Sequence, residues 1–292
     1  MSMDHNVEVG SSYAVSSTVT KDVEGCRNPQ VRSKISSRIA QIRLVSGHPE
    51  VYEPCDDSFA LVDALLADRA NLIDHQPNMC LEIGSGSGYV ITSLAIMLGS
   101  ECPGTHYFAT DINPHAVEVT CKTLNSHGVH AEVVCSNIAS GLQSRLAGMV
   151  DVIVVNPPYV PTPEEEVGSE GITAAWAGGE NGRTVIDRIL PVVDMLLSSR
   201  GWLYMVTLAA NNPLQICQVM REKGYASRIV VQRSTEEESL RIIKFWRDAD
   251  IESHDSNKVK SLSGSESWLL QLSRMSLWRS SSSSNNRVNE FS

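Results

Sequence analysis

Two short stretches of the chain combine residue types that can do chemistry together. The first is Asn156-Pro157-Pro158-Tyr159, which ends the apolar run Val152-Ile153-Val154-Val155. Consecutive prolines fix φ and remove two backbone N–H donors while leaving both carbonyls. The turn therefore presents hydrogen-bond acceptors and suits a substrate bearing an NH₂ group. The side-chain oxygen of Asn156 and the carbonyl of Pro157 can take the two hydrogens, with Tyr159 stacked on a planar group. A nitrogen whose lone pair is delocalised is a weak nucleophile, so the site must chiefly aim it. Fixed acceptors on both hydrogens also raise its electron density. Asn156, Pro157 and Tyr159 are the expected catalytic residues, and with Pro158 they form the expected substrate-binding set. The bland alternative is an ordinary proline turn.

The second stretch, Cys80-Leu81-Glu82-Ile83-Gly84-Ser85-Gly86-Ser87-Gly88-Tyr89, leads from an apolar run into a helical pattern. Glycine adopts positive φ and lets a ligand approach without meeting a Cβ. The G-x-G-x-G spacing departs from the dinucleotide fingerprint G-x-G-x-x-G. It fits a nucleotide cofactor without a pyrophosphate. Glu82 adds to this reading, because a carboxylate there can hold the cationic amino group of a methionine moiety but would repel a pyrophosphate. Further on, Asp111 is placed to accept from both ribose hydroxyls, with a helix cap before Pro114 as the alternative. In Ser136-Asn137-Ile138, Asn137 is placed for the edge of an adenine and Ile138 for its face. The chemistry requires neither a metal nor a covalent nucleophile.

These residues need a scaffold that brings strand ends together. Apolar runs read as strands at Met79–Ile83, His106–Asp111, Ala131–Cys135, Val150–Asn156, Trp202–Thr207, Arg228–Gln232 and Leu240–Phe245. Helical patterns separate most of them, at Ser58–Ala70, Tyr89–Leu98, Pro114–Ser126, Thr184–Leu197 and Pro213–Lys223. Such alternation predicts a doubly wound α/β sheet. The connection Arg233–Ser239 is too short for a helical crossover, so the last two strands are expected to be antiparallel neighbours.

Three motifs in order give the chain a family resemblance. Asn156-Pro157-Pro158-Tyr159 resembles the motif of amino-methyltransferases acting on glutamine amides or on the exocyclic amine of adenine. Val51-Tyr52-Glu53-Pro54-Cys55-Asp56-Asp57-Ser58-Phe59 is similar to the entry segment of the eukaryotic HemK-type release-factor glutamine methyltransferases. Glu166-Val167-Gly168 through Ala174-Ala175-Trp176-Ala177-Gly178-Gly179-Glu180-Asn181-Gly182-Arg183 is similar to that family's loop after the catalytic motif. The resemblance spans about Val51 to Phe245 and implies a class I methyltransferase (Rossmann-like) fold. That fold is a seven-stranded, mostly parallel sheet with one antiparallel strand. S-adenosyl-L-methionine would be the donor, contacted by Ser58, Glu82, Gly84, Gly86, Asp111, Asn137, Ile138 and Asn156. Asn137 stands where the family usually has an acid, and its amide oxygen can still accept from the adenine amine. The implied substrate is the glutamine of the Gly-Gly-Gln motif in a class I translation termination factor. The implied partner is a small zinc-binding activator subunit, forming a heterodimer along Ala131–Cys135.

Composition narrows the remaining choices. The 292 residues carry a formal charge of −10, almost all of it in the middle of the chain, which makes a poor general binder of phosphate backbones. Adenine methylation on DNA or RNA is the first rival reading, protein lysine methylation the second, and a catalytically silent binding module the third. Lysine would first have to lose a proton, and the turn offers no base. The seven cysteines are scattered without C-x-x-C spacing, which points to reduced thiols in a cytoplasmic or nuclear protein. No run of apolar residues is long enough to suggest a membrane span. Residues 1–38 and 248–292 read as disordered extensions around a domain at 39–247, with one amphipathic stretch from Trp268 to Trp278.

Overall fold

A computed structural model describes residues 38–169, 171–234 and 239–247. The expected extensions, with the Trp268–Trp278 stretch, lie outside the described residues except for Arg38. Seven strands form one sheet: β1 Met79–Ile83, β2 His106–Asp111, β3 Glu132–Cys135, β4 Val150–Val155, β5 Leu197–Leu208, β6 Tyr225–Ser234 and β7 Ser239–Arg247. Their order is β3-β2-β1-β4-β5-β7-β6. Neighbours from β3 to β5 are parallel, and β7 is antiparallel to both β5 and β6. Only β7 therefore runs against the rest, as the short connection before it requires.

The central strands are apolar on both faces because both faces are covered. Leu81, Ile83, Ile153, Val155, Leu203 and Met205 pack into one core with α5 Gln143–Leu146, α6 Thr184–Leu196 and α7 Pro213–Glu222. Cys80, Val152, Val154, Tyr204 and Val206 pack into the other, with α1 Asp56–Ala67, α2 Arg69–His75, α3 Tyr89–Leu98 and α4 Pro114–Ser126. Burying each aliphatic side chain contributes about 1.5–3 kcal/mol. Strand β4 is buried along its whole length, so the turn at its end stands on one of the best-anchored parts of the sheet.

Helix α4 starts where the sequence places it: Pro114 sits at its first turn, and the Asn113 side chain accepts from the His115 amide at 2.9 Å. Strand β6 is longer at both ends than the expected Arg228–Gln232, and α5 has no counterpart among the expected helices. Two further elements differ for reasons that the structure shows. The helix read as Ser58–Ala70 is two helices, broken at Asp68. Asp68 is drawn to Lys244 at 2.6 Å, Arg228 at 2.6 Å and Tyr204 at 2.5 Å, partners far along the chain that no helical periodicity reveals. Strand β5 begins at Leu197 rather than Trp202, behind a register irregularity opposite Val150. The polar run after Leu197 hid this start, since Ser198 and Arg200 are there to bond the buried Asp151, at 2.7 and 3.3 Å.

Candidate active site

Strands β1 and β4 lie side by side, with Ile83 opposite Val155, and the chain leaves them toward opposite edges of the sheet. A crevice must open beyond the carboxyl ends of strands at such a reversal. The cavity there is lined by Ser58, Glu82, Gly84, Gly86, Asp111, Asn137, Ile138, Asn156, Pro157 and Pro158. The structure thus brings together every expected cofactor residue and all of the acceptor turn except Tyr159.

In the cofactor half, Gly84, Gly86 and Gly88 all have positive φ, at 76°, 51° and 75°. Their demands differ. A Cβ on Gly86 would face open space, leaving a cradle beside the backbone, whereas a Cβ on Gly88 would lie 2.8 Å from Thr120 Cα, where α3 and α4 meet. Asp111 accepts from the Gly86 amide at 2.8 Å and the Asn113 amide at 2.9 Å, so it ties the glycine turn to the end of β2. The cap of α4 is Asn113, and both Asp111 oxygens keep lone pairs for a ligand. Glu82 is fully buried and accepts from the Ile91 amide in the first turn of α3 at 2.8 Å. Burial, and then the nearby Asp111, push its carboxyl well above the ordinary range. A cationic amino group arriving there would relieve that cost. Ile138 sits at φ 54°, a conformation that strains a β-branched residue by about 1–3 kcal/mol. These features fit a nucleoside cofactor with a cationic amino group.

In the acceptor half, Asn156 Oδ1 is buried without a hydrogen-bond partner. Among the described residues, no donor reaches the Pro157 carbonyl either. Two acceptors thus stand uncommitted beside each other in the chain. Tyr159 is placed otherwise than expected. Its ring packs against both cores, and its hydroxyl donates to Asp57 at 2.9 Å. The geometry shows it anchoring the turn rather than presenting a stacking face to the cavity.

Sequence reasoning passed over two residues here. Asp57 accepts from Tyr159, from the Ser58 hydroxyl at 3.1 Å and from the Cys55 thiol at 3.1 Å. Burial alone would raise its pKa, but hydrogen bonds from Cys55, Tyr159 and the Ser58 amide help to hold the carboxyl below the usual range. The helical pattern in the sequence starts at Ser58, so the two acids before it carry no signal of this role. Asn211 is also buried. It accepts from the Leu208 amide at 2.7 Å and donates to the carbonyls of Tyr159 and Asn181, at 2.8 and 2.9 Å. Its place in a loop after β5 gave no signal.

The family model of the methyltransferase small domain matches residues 58–235. The chain belongs to this family. Human methyltransferase HEMK2 is 47% identical to it over 198 residues, covering 68% of this chain and 90% of that protein. The eRF1 methyltransferase catalytic subunit mtq2 of Schizosaccharomyces pombe is 34% identical, covering 71% and 94%. Among solved structures, the E. cuniculi Mtq2–Trm112 complex responsible for methylation of the eRF1 termination factor is 30% identical, with a TM-score of 0.47, covering 68% of this chain and 99% of that one.

The loop after the acceptor turn of this methyltransferase is built, not loose. Val160 bridges Ala177, and Thr162 donates through its amide to the Gly179 carbonyl at 3.0 Å. A side chain on Gly182 would overlap the Tyr159 carbonyl. Glu164 accepts from the Thr184 hydroxyl at 2.9 Å and the Glu180 amide at 3.3 Å, so one of the three successive acids is spent on pinning the loop. Val167, Gly168, Gly171 and Ala174 then complete the cavity wall with small side chains.

Proposed function

We propose that this methyltransferase methylates the side-chain amide nitrogen of a protein glutamine, in the Gly-Gly-Gln motif of a class I release factor, with S-adenosyl-L-methionine as donor. The observation that carries the reading is the unpartnered Asn156 Oδ1 next to the uncommitted Pro157 carbonyl. A buried acceptor without a donor is costly, and an incoming NH₂ relieves that cost. When bound, the donor supplies an electrophilic sulfonium methyl. Glu82 holds its amino group, Asp111 its ribose, and Asn137 with Ile138 its adenine. Asn156 and Pro157 grip both hydrogens of the acceptor and direct the nitrogen lone pair, while Asp57, Tyr159 and Asn211 keep the turn from shifting.

The name of the fission-yeast relative supports eRF1 as the acceptor protein, and its description as a catalytic subunit supports a second, activating subunit. Strand β3 suits such a partner. It pairs only with β2 among the described residues, and Ile112 beside it is 57% exposed. Unpaired edge groups favour strand addition by another chain. We take that subunit to be small and zinc-binding. Free thiols at Cys55, Cys80, Cys102, Cys121, Cys135 and Cys217 support a reducing compartment, the cytoplasm and with it the nucleus.

The test is methyl transfer from labelled donor by the chain with its activator, offered a release factor or an adenine-containing oligonucleotide. The expected product is one methyl on the Gly-Gly-Gln glutamine, located by fragment mass spectrometry. Label on the oligonucleotide alone would replace glutamine by adenine, whose amine fits the same two acceptors.

A further inference from the structure

We propose that His48, Glu50 and His115 form a site for one divalent transition cation of the zinc class, and that the bound cation ties together two parts of the cavity wall. One ring nitrogen of each histidine and one carboxylate oxygen of Glu50 lie within 4.8 Å of one another. His115 Nε2 stands 2.9 Å from Glu50 Oε2, and the two imidazoles stack with centroids 4.3 Å apart. Donors around a tetrahedral zinc stand roughly 3.3 Å apart, since its bonds to nitrogen and oxygen are about 2.0–2.2 Å long. Small side-chain rotations therefore close the set. Two imidazoles and a carboxylate suit zinc, with water in the fourth position. The backbone that carries them is already fixed. Asn113 donates through Nδ2 to the Glu50 carbonyl at 2.8 Å and accepts from the His115 amide at 2.9 Å, so one side chain holds both segments in register. Beside them Val51 packs with Ala116 and Val119. The Glu50 amide also donates to His48 Nδ1 at 3.2 Å. A cation on either nitrogen of that ring displaces only this long, exposed hydrogen bond. Glu50, Val51 and Tyr52 line the donor cavity from one segment, and Asn113 and Ala116 line it from the start of α4. A cation shared by the three donors thus joins the two segments across the wall.

The alternative is a solvated ion pair with a stacked ring beside it, since the His115 and Glu50 side chains are 44% and 53% exposed. Calorimetric titration of the full-length, metal-free chain with Zn²⁺ alone separates the two. We expect the tightest site to hold one zinc per chain. His48→Gln and His115→Gln should each weaken it by about 100-fold or more, beyond the usual loss when only a hydrogen-bond partner around a metal site is removed. Neither histidine belongs to a core, so the thermal midpoints without metal should stay close to wild type. In the wild type alone, zinc should slow amide exchange across residues 48–52. It should also tighten S-adenosylhomocysteine by about tenfold, a usual size for coupling between two sites. Zinc bound equally well by wild type and both variants overturns the site, because the metal then sits on other residues. Zinc that leaves both amide exchange and S-adenosylhomocysteine affinity unchanged overturns the tie across the wall. A chain that binds no S-adenosylhomocysteine at all sinks the donor assignment instead, and the zinc titration with amide exchange still decides the cation site.

Discussion

Helix α1 has a buried carboxylate at each end, Asp57 in its first turn and Asp68 at its C-cap, and the two are satisfied in different ways. Asp68 is closed by cations: Lys244 at 2.6 Å, Arg228 at 2.6 Å and, beside them, the Tyr204 hydroxyl. Lys244 in turn lies 3.1 Å over the Trp202 ring, whose plane stacks on His75 at 4.0 Å. The carboxylate and both cations find partners within the cluster, while His75 Nε2 at its edge is buried without one. Asp57 is held by neutral donors instead, and the turn that it anchors through Tyr159 keeps an acceptor unpaired at Asn156 Oδ1. A carboxylate closed by cations stabilises a fold, whereas a cavity-lining turn with an unpaired acceptor has capacity left for a donor that arrives later.

The largest effect that tests this contrast falls on stability. Asp68→Asn strands Lys244 and Arg228 without a counter-charge. It should lower unfolding free energy by about 3–5 kcal/mol, the usual cost of breaking a buried pair. Urea unfolding of the domain measures it. A loss under about 1 kcal/mol would mean that water reaches the cluster and the comparison is misdrawn. At the other end of the helix, Asn156→Ala should cost about 100–1000-fold in kcat while changing donor affinity far less. An unchanged rate would remove the acceptor grip and the proposed function with it.

Acid sharpens the same comparison. The Asp68 carboxyl is drawn down to about 2, because hydrogen bonds from Lys244, Tyr204 and Asn71 and the charge of Lys244 outweigh its burial. A depressed folded-state pKa contributes stability above the unfolded value near 3.8 and loses it as pH falls toward 2. The stability gap between wild type and Asp68→Asn should therefore narrow by about 2 kcal/mol between pH 5 and pH 2. A gap that stays constant across that range would show that Asp68 is not ionised by its partners.

What the sequence made legible was local. The Gly84–Gly88 turn, Asp111 and the Asn-Pro-Pro-Tyr turn are contiguous strings whose chemistry reads directly, and α3 and α4 begin and end at the positions their glycine and proline signals mark. The short Arg233–Ser239 connection fixed the antiparallel β7. What stayed hidden was long-range: the break at Asp68 depends on Lys244 and Arg228, and the role of Asn211 depends on the carbonyl of Tyr159. Tyr159 was misread for the same reason. An aromatic ring after two prolines looks like a platform until a carboxylate from another segment claims its hydroxyl.

The smallest expected effect concerns strain, which the cavity stores at Ile138. Its φ of 54° favours glycine or asparagine, yet an isoleucine stands there, on the wall where an adenine face is expected. If the side chain were present only for packing, Ile138→Asn would cost the burial of a half-covered aliphatic group and little else. Relief of about 1 kcal/mol of backbone strain should offset most of that loss, leaving stability within about 1 kcal/mol of wild type. Donor affinity should instead weaken by about tenfold, since one apolar face of the nucleoside would lose its cover. Calorimetric titration with S-adenosylhomocysteine, set against thermal unfolding of the same variant, separates the two effects. Unchanged affinity with a marked fall in stability would assign Ile138 to the core and take the strain out of the functional account.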